Sequence, residues 1–474
     1  MSGAREASGG GPPLTGVVLS RVVAAEAARD PGRDVFVFEN GARPAERLTA
    51  ADLAAGGIGV ADAFRRLGLR PGDRIAVLLR NHPALLHALV AGSKLGLPIV
   101  PLDPAASDLV VETQLRFLGC AAILTADYRL SDNRLSDNRL SDNGTAGGGL
   151  DGVIRRTGVK SLVVSTPEGR AAGLDPSAAH PVLDEALDGI EGRDPGEHVD
   201  NPASPWLVVP VAGANGDTVG VEVPHERLLL WRLVPGFFGY RPDDVAYTGL
   251  PLAAGNALAA TVVPALLGAV HHAVVSRAPD PARLWEICID HGCTTWANGD
   301  GLATAVYRAP SSRRDRTHPV RLVVSTGMPR EIWRPFEERF AVRVLEWYGS
   351  PEGAFAYNPV GVGPVGSFGR PPAGLLEVDV LDGDGCALPA GQVGELAVRR
   401  RDGWARTGHR VSRDADGWLA FALGAARGME GASPAVAAGA AEERVPEPVT
   451  ATRESTGEDA YRHPAASIGG GDGR

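Results

Sequence analysis

Apolar and polar positions along the first 126 residues switch repeatedly between two spacings. Val35 to Phe38 is a continuous apolar run closed by Glu39, Asn40 and Gly41, which predicts a strand and a turn. Thr49 then caps a stretch in which Leu53, Ile58, Ala61, Phe64 and Leu67 recur at helical intervals. A turn at Arg70 to Asp73 leads into a buried strand ending near Asn81, and Pro83 opens a helix to about Leu95. Leu97 to Pro104 predicts another strand, Val110 to Leu118 a helix, and Ala121 to Ala126 a strand. Such alternation predicts a parallel sheet with helices on its faces.

The pattern breaks at Arg129. Residues 129–143 are RLSDN repeated three times in tandem, followed by GTAGGG. A period of five fits neither a helical nor a strand face, and each unit is charge-balanced and turn-rich, so a disordered low-complexity insertion over 129–150 is expected. Leu174 to Ser204 is rich in Pro, Asp and Gly and reads as a linker. Alternation then resumes. Strands are expected at His271 to Ser276, Thr294 to Asn298, Val320 to Gly327 and Val342 to Gly349. Helices are expected at His225 to Leu233, Ala257 to Leu267, Pro281 to His291, Gly301 to Arg308 and Arg330 to Phe340. From Gly374 the texture changes to short β segments with turns at Gly383 and Gly391, and beyond Arg427 periodicity is lost.

Pro205 to Arg227, PWLVVPVAGANGDTVGVEVPHER, is strand, glycine loop and strand. Glycines let backbone N–H groups approach phosphate oxygens, while Ser, Thr and Lys side chains add hydrogen bonds and positive charge. Gly213 and Gly216 supply the frame. The loop has neither Ser nor Lys, and its Thr218 comes late.

Composition narrows the alternatives. At 474 residues the chain exceeds one ordinary core, and 44% hydrophobic with 22% charged residues is a globular balance. A net charge of -10 without a basic face argues against nucleic acid. Cys120, Cys288, Cys293 and Cys386 are too scattered for a disulfide framework and are expected as reduced thiols. No apolar run has secretory or membrane-spanning length, so a cytoplasmic protein is expected. Lys94 and Lys160 are the only lysines. Three motifs carry nothing. GVGPVG (Gly361 to Gly366) follows Asn358-Pro359 and opens no helix; His271, His272, Cys288, His291 and Cys293 lack zinc spacing; and no G-x-S-x-G elbow occurs.

Seven blocks in order carry a family likeness. GDRIAVLLRNHPALLHALVAGSKLGLPIVPLDP, the glycine loop ending in PHERL, LPLAAGNALA, VRLVVSTGMPREIWRPFEERF, VLEWYGSPEG, VGSFGRP and WARTGHRVSRDADGWLAF together resemble the adenylate-forming acyl-CoA synthetase superfamily. The wording is most similar to its fatty-acid-transport-protein and very-long-chain branch, over residues 20 to 425. The resemblance implies an α/β fold with two α/β lobes of mixed or parallel sheets, a small β subdomain and a C-terminal lid. Expected boundaries are a disordered start at 1–18, a first lobe at 19–204, a second at 205–372 and the β subdomain at 373–426. Residues 427–474 are expected as a disordered tail in place of the lid. The chemistry it implies is two-step: ATP and a carboxylate, a fatty or other organic acid, give an acyl adenylate, and CoA then takes the acyl group.

The resemblance also assigns residues. Relatives carry a phosphate loop close to TSGTTGLPKA with a His five residues later; counting back from His225, the loop's Thr, Ser, Gly, Thr, Thr, Gly and Lys fall on Val211, Ala212, Gly213, Ala214, Asn215, Gly216 and Val219. Asn215 is the only polar side chain left among them. One lost preorganised donor costs about 2.7–4 kcal/mol of transition-state stabilisation, and here several are lost together. By the same resemblance Ala253 and Ala254 replace an aromatic residue and a His beside the acyl pocket, while Asn256 fits. Ser325, Thr326 and Gly327 would pack beside adenine, Tyr348 and Gly349 against the base, and Glu352 would hold magnesium, although Pro351 replaces a Thr. His409 replaces the aspartate that grips both ribose hydroxyls, and Glu430 falls where a hinge lysine would. A neutral imidazole cannot accept two hydrogen bonds as a carboxylate can. An impaired or inactive member is therefore expected, with ATP, magnesium and CoA as cofactors if activity survives and none if it does not. The alternative is an active ATP-dependent acid–thiol ligase.

Overall fold

The computed structural model describes residues 17–39, 41, 44–131, 149–171, 180–183, 194, 196, 199, 201–212, 218–252, 254–299 and 301–422. Local chemistry sets the helix ends. Thr49 accepts the Asp52 N–H, and Asp52 accepts the Thr49 N–H, closing a capping box on the helix Ala50–Arg66. His82 caps and Pro83 opens the helix Pro83–Leu95, which ends at Gly96 with φ 66°. Ser107 caps Asp108–Phe117.

Among the described residues the strands form three sheets. The first runs, in spatial order, Lys160–Val164, Cys120–Ala126, Arg74–Leu78, Ile99–Pro101, Pro205–Ala212, Thr218–Pro224. All its neighbours are parallel except the last pair. The second runs Phe355–Asn358, Arg343–Gly349, Leu322–Ser325, Thr295–Asn298, Val245–Thr248, His272–Ser276, Asp34–Glu39, Glu46–Thr49, parallel within and antiparallel at both edges. The third is an antiparallel meander, Val378–Leu381, Val393–Arg400, Gly403–Arg413, Leu419–Phe421. Two mixed α/β sheets and a small β subdomain are thus present.

This topology cuts across the expected division at residue 204/205. Leu207 pairs with Ile99, so both strands flanking the glycine loop belong to the first sheet. Phe36 pairs with Ala273, so the first strand of the chain belongs to the second sheet. Pairing between residues over a hundred positions apart is decided by which edge is free and apolar, and local spacing cannot register it.

One core joins the lobes. Phe36, Phe38 and Val275 from the second sheet and Ile75, Val77 and Leu207 from the first pack on the two helices Ala50–Arg66 and Pro83–Leu95. The opposite face of the second sheet, with Trp296 and Val323, is covered by Trp333, Phe336 and Phe340 of the helix Arg330–Phe340. Asn81 fixes the lobes where they meet. Its amide donates to the carbonyls of Leu250 (2.9 Å) and Ser276 (2.8 Å) and accepts the Leu252 N–H (2.7 Å).

Two expectations change in detail. The helix expected over Ala257 to Leu267 starts at Gly255 and contains a π turn at Leu258–Val262. Pro264 has no N–H to give the Ala260 carbonyl, and the Tyr240 hydroxyl donates to that carbonyl instead, at 2.6 Å. The first RLSDN unit, expected in a disordered insertion, begins inside the first lobe: Asp127–Ser131 is helical and the Arg129 side chain is fully buried. Its guanidinium donates to the Ala106 carbonyl (2.7 Å) and lies 3.2 Å from the Asp108 carboxylate. Gly149–Thr157, at the other margin, is a helix with Leu150 buried. Residues 132–148, most of the linker, the N-terminal sixteen residues, Gly213 to Asp217 and the tail lie outside the described residues.

Candidate ligand cavity

The carboxyl ends of the parallel strands in both sheets meet around a cavity of about 540 Å³, where open α/β sheets generally receive ligands. Pro101 and Leu102 come from one strand end of the first sheet, Val209 and Pro210 from within the strand Pro205–Ala212, and Thr326, Gly327, Tyr348 and Gly349 from ends in the second. Leu207, Trp231, Val234, Leu258, Trp347 and Phe355 give it an apolar wall. Four residues lining it carry buried polar atoms without a partner among the described residues: Gln114 Oε1, Asn256 Oδ1, Trp347 Nε1 and Ser350 Oγ. Orphaned buried polar atoms are rare in native folds and mark places where water or ligand completes the bonding.

A hydrogen-bonded network holds the wall in shape. Asn256 Nδ2 donates to the Asn298 carbonyl (2.9 Å) and to Thr326 Oγ1 (2.7 Å), tying the start of the π-containing helix to two strand ends. Asn298 Nδ2 donates to Ser325 Oγ at 3.0 Å. Behind the turn at Gly327, whose φ is 89°, the Glu346 carboxyl accepts the N–H groups of Gly327 and Met328, the latter at 3.2 Å to each oxygen. Burial raises the Glu346 pKa to about 8, against those donors and the Ser325 hydroxyl, which favour its ionised form.

Of the sequence-designated residues, Ala254, Asn256, Thr326, Gly327, Tyr348 and Gly349 line the cavity together. Ser325 is fully buried one layer behind it. Glu352 is half-buried between Pro351 and Gly353, both of which line it. Gly213, Asn215 and Gly216 lie outside the described residues. His409 is not among the lining residues: its Nδ1 lies 2.7 Å from the Tyr348 hydroxyl, and the two rings meet edge to face. Tyr348 itself is 2% exposed, its ring 5.0 Å from Phe368 in the core of the β subdomain, and burial pushes its pKa up. Val219, which the sequence likeness set on the loop lysine, is 45% exposed, an apolar side chain in solvent.

His225, the residue that sets the register of the loop, stacks on Trp206 and takes the Leu19 N–H on Nδ1 at 3.5 Å. Burial lowers its pKa to about 4, so the ring is neutral at pH 7. Sequence reasoning missed Arg227, Gln114 and Trp347 as lining residues, and Asn298 and Glu346 as their support. Arg227 and Trp347 stood beside designated residues, two positions after His225 and one before Tyr348, and adjacency was the available signal; Gln114, inside a surface-patterned helix, offered none.

A family described as AMP-binding enzyme matches residues 23–406. The human long-chain fatty acid transport protein 5 is 30% identical over 236 residues, 46% of this chain and 32% of that protein. The human long-chain fatty acid transport protein 1 is 26% identical over 344 residues, 71% of this chain and 49% of its own length. The chain thus spans half or less of these two relatives. A benzoate CoA ligase from Burkholderia xenovorans LB400 superposes with a TM-score of 0.70 at 18% identity, covering 85% of this chain and 79% of the ligase, a likeness of fold.

Proposed function

The chain belongs to the AMP-binding enzyme family, and from that membership we propose an acyl-binding protein whose ability to adenylate its acid is impaired or lost. The observation that carries this reading is the position of the two lysines. Lys94 pairs with Asp194 at 2.9 Å, and Lys160 donates to the carbonyls of Leu67 (2.5 Å) and Gly68 (3.3 Å), so neither ammonium reaches the cavity. Phosphoryl and adenylyl transfer depend on fixed positive charge and preorganised donors at the phosphates. Val219 supplies none, and the His409 nitrogen facing Tyr348 has a partner already.

The residues therefore fit the implied cofactors unevenly. Gly327, Gly349 and Tyr348 suit a flat base beside backbone, and Glu352 is the carboxylate that would hold magnesium, which commonly needs one or two carboxylates with substrate phosphates. The triphosphate and ribose holds do not fit. An apolar wall with a few polar groups suits a fatty acid, the class named in the two transport-protein relatives.

Calorimetry with ATP and magnesium, followed by pyrophosphate release over a panel of fatty and aromatic acids, tests the reading. Acid binding without pyrophosphate release is expected. The double substitution Val219→Lys and His409→Asp should tighten ATP binding at least tenfold. Turnover by the unaltered protein with any acid would instead make it an active ATP-dependent ligase.

A further inference from the structure

One charged group on the cavity wall has no part in the family chemistry above. Arg227 opens the short helix Arg227–Trp231 and lines the cavity half-buried. Among the described residues its guanidinium has no hydrogen bond and no ion pair within contact distance; its surroundings act on it only through charge, Glu352 and Glu226 attracting and Arg400 opposing. Half-buried on the cavity wall and bonded to no protein acceptor among the described residues, its N–H donors stay open to an acceptor that enters the cavity. Burial lowers the pKa of this group.

The surroundings are shaped to admit the group rather than to pair it. Gly353 has φ 111°, and a Cβ there would stand 2.4 Å from Nη1 and 2.7 Å from Nη2 of Arg227. The guanidinium thus lies flat against a glycine in the turn from Ser350 to Gly353, which itself lines the cavity. Asp103, a carboxylate on the cavity wall, is engaged in its own turn, accepting the Ala105 N–H at 2.8 Å. An unpaired planar fork in a largely apolar cavity is the arrangement that receives a carboxylate or phosphate in a bidentate pair.

We propose that Arg227 is the oxyanion anchor of this cavity, holding a carboxylate or phosphate of the ligand while the ligand's body lies along the wall of Leu207, Trp231 and Phe355. The inference rests on the reading of the cavity as an acyl-binding site. Loss of one charge-assisted pair corresponds to about tenfold or more in affinity.

Binding of decanoate, decan-1-ol and AMP is measured by calorimetry on the full chain and on Arg227→Met and Arg227→Lys, each checked for unchanged melting. The Met variant is expected to lose tenfold or more for decanoate, for AMP or for both, with decan-1-ol held within twofold; the Lys variant, which keeps the charge, falls between. A decanoate loss identifies the carboxylate as the anchored group, and an AMP loss the phosphate. Equal binding of both anions by wild type and Met variant overturns the proposal alone, as does a decan-1-ol loss as large as the anion loss. A wild type that binds none of the three overturns the acyl-binding reading and the proposal with it.

Discussion

Replacing Glu346 by Gln isolates the charge behind the cavity turn without removing its hydrogen bonding. The amide oxygen still accepts the Gly327 and Met328 N–H groups, and the amide nitrogen faces the Ser325 hydroxyl. In the unfolded chain this carboxyl titrates near 4.5, and burial raises it to about 8 in the fold. Because the folded value is higher, folding takes up a proton between those two pH values. The group's contribution to stability is complete below pH 4.5 and is lost as pH rises through 8. At about 1.36 kcal/mol per pH unit the full cost of the ionised form is about 5 kcal/mol, of which about 1 kcal/mol falls between pH 7 and pH 9. Urea unfolding followed by tryptophan fluorescence, at pH 6 to 9 for both proteins, reads this directly, since other titrating groups cancel in the difference. The variant should gain on the wild type by about 1 kcal/mol from pH 7 to 9. A gap that stays constant over that range, or moves the other way, refutes the assignment of a raised pKa.

Asp244 is 2% exposed and accepts from Arg321 Nε (3.1 Å) and Nη2 (2.5 Å), Thr294 Oγ1 (2.7 Å) and the Arg241 N–H (2.7 Å). Asp244→Ala leaves Arg321 unpaired beside the second sheet and should cost about 3–5 kcal/mol in denaturant unfolding; a cost under 1 kcal/mol would remove this cluster from the stabilising interactions. His87 and His225 titrate near 4 in the fold against 6.5 when exposed, because burial disfavours the imidazolium. Their stabilisation is present above pH 6.5 and lost as pH falls through 4, so thermal melting should drop steeply in that window and less steeply in His225→Gln; identical slopes would contradict the assignment.

Much of the fold was legible because it is locally encoded. The capping box at Thr49, the proline start at Pro83 and the apolar runs that form the strands Leu322–Ser325 and Arg343–Gly349 follow from short-range spacing. The site was legible in part. Thr326, Gly327, Tyr348 and Gly349 meet at one cavity because they stand at the carboxyl ends of adjacent parallel strands. Other roles had no sequence signal. Arg129 lies in a polar repeat and yet its guanidinium is fully buried, and Asn298 reads as the end of a strand although it joins Asn256 to Ser325.

What the sequence determined by itself was most of the helices and strands and the helix starts at Thr49 and Pro83, since each depends on neighbours within a few residues. The tertiary structure alone decided which strand entered which sheet, that His409 meets the Tyr348 hydroxyl, and that Arg227 faces a cavity without an ion-pair partner among the described residues. The physical reason is the same in each case. Edge pairing and desolvation are set by groups far along the chain, and an arginine in a sequence reads alike whether water or a cavity wall surrounds it.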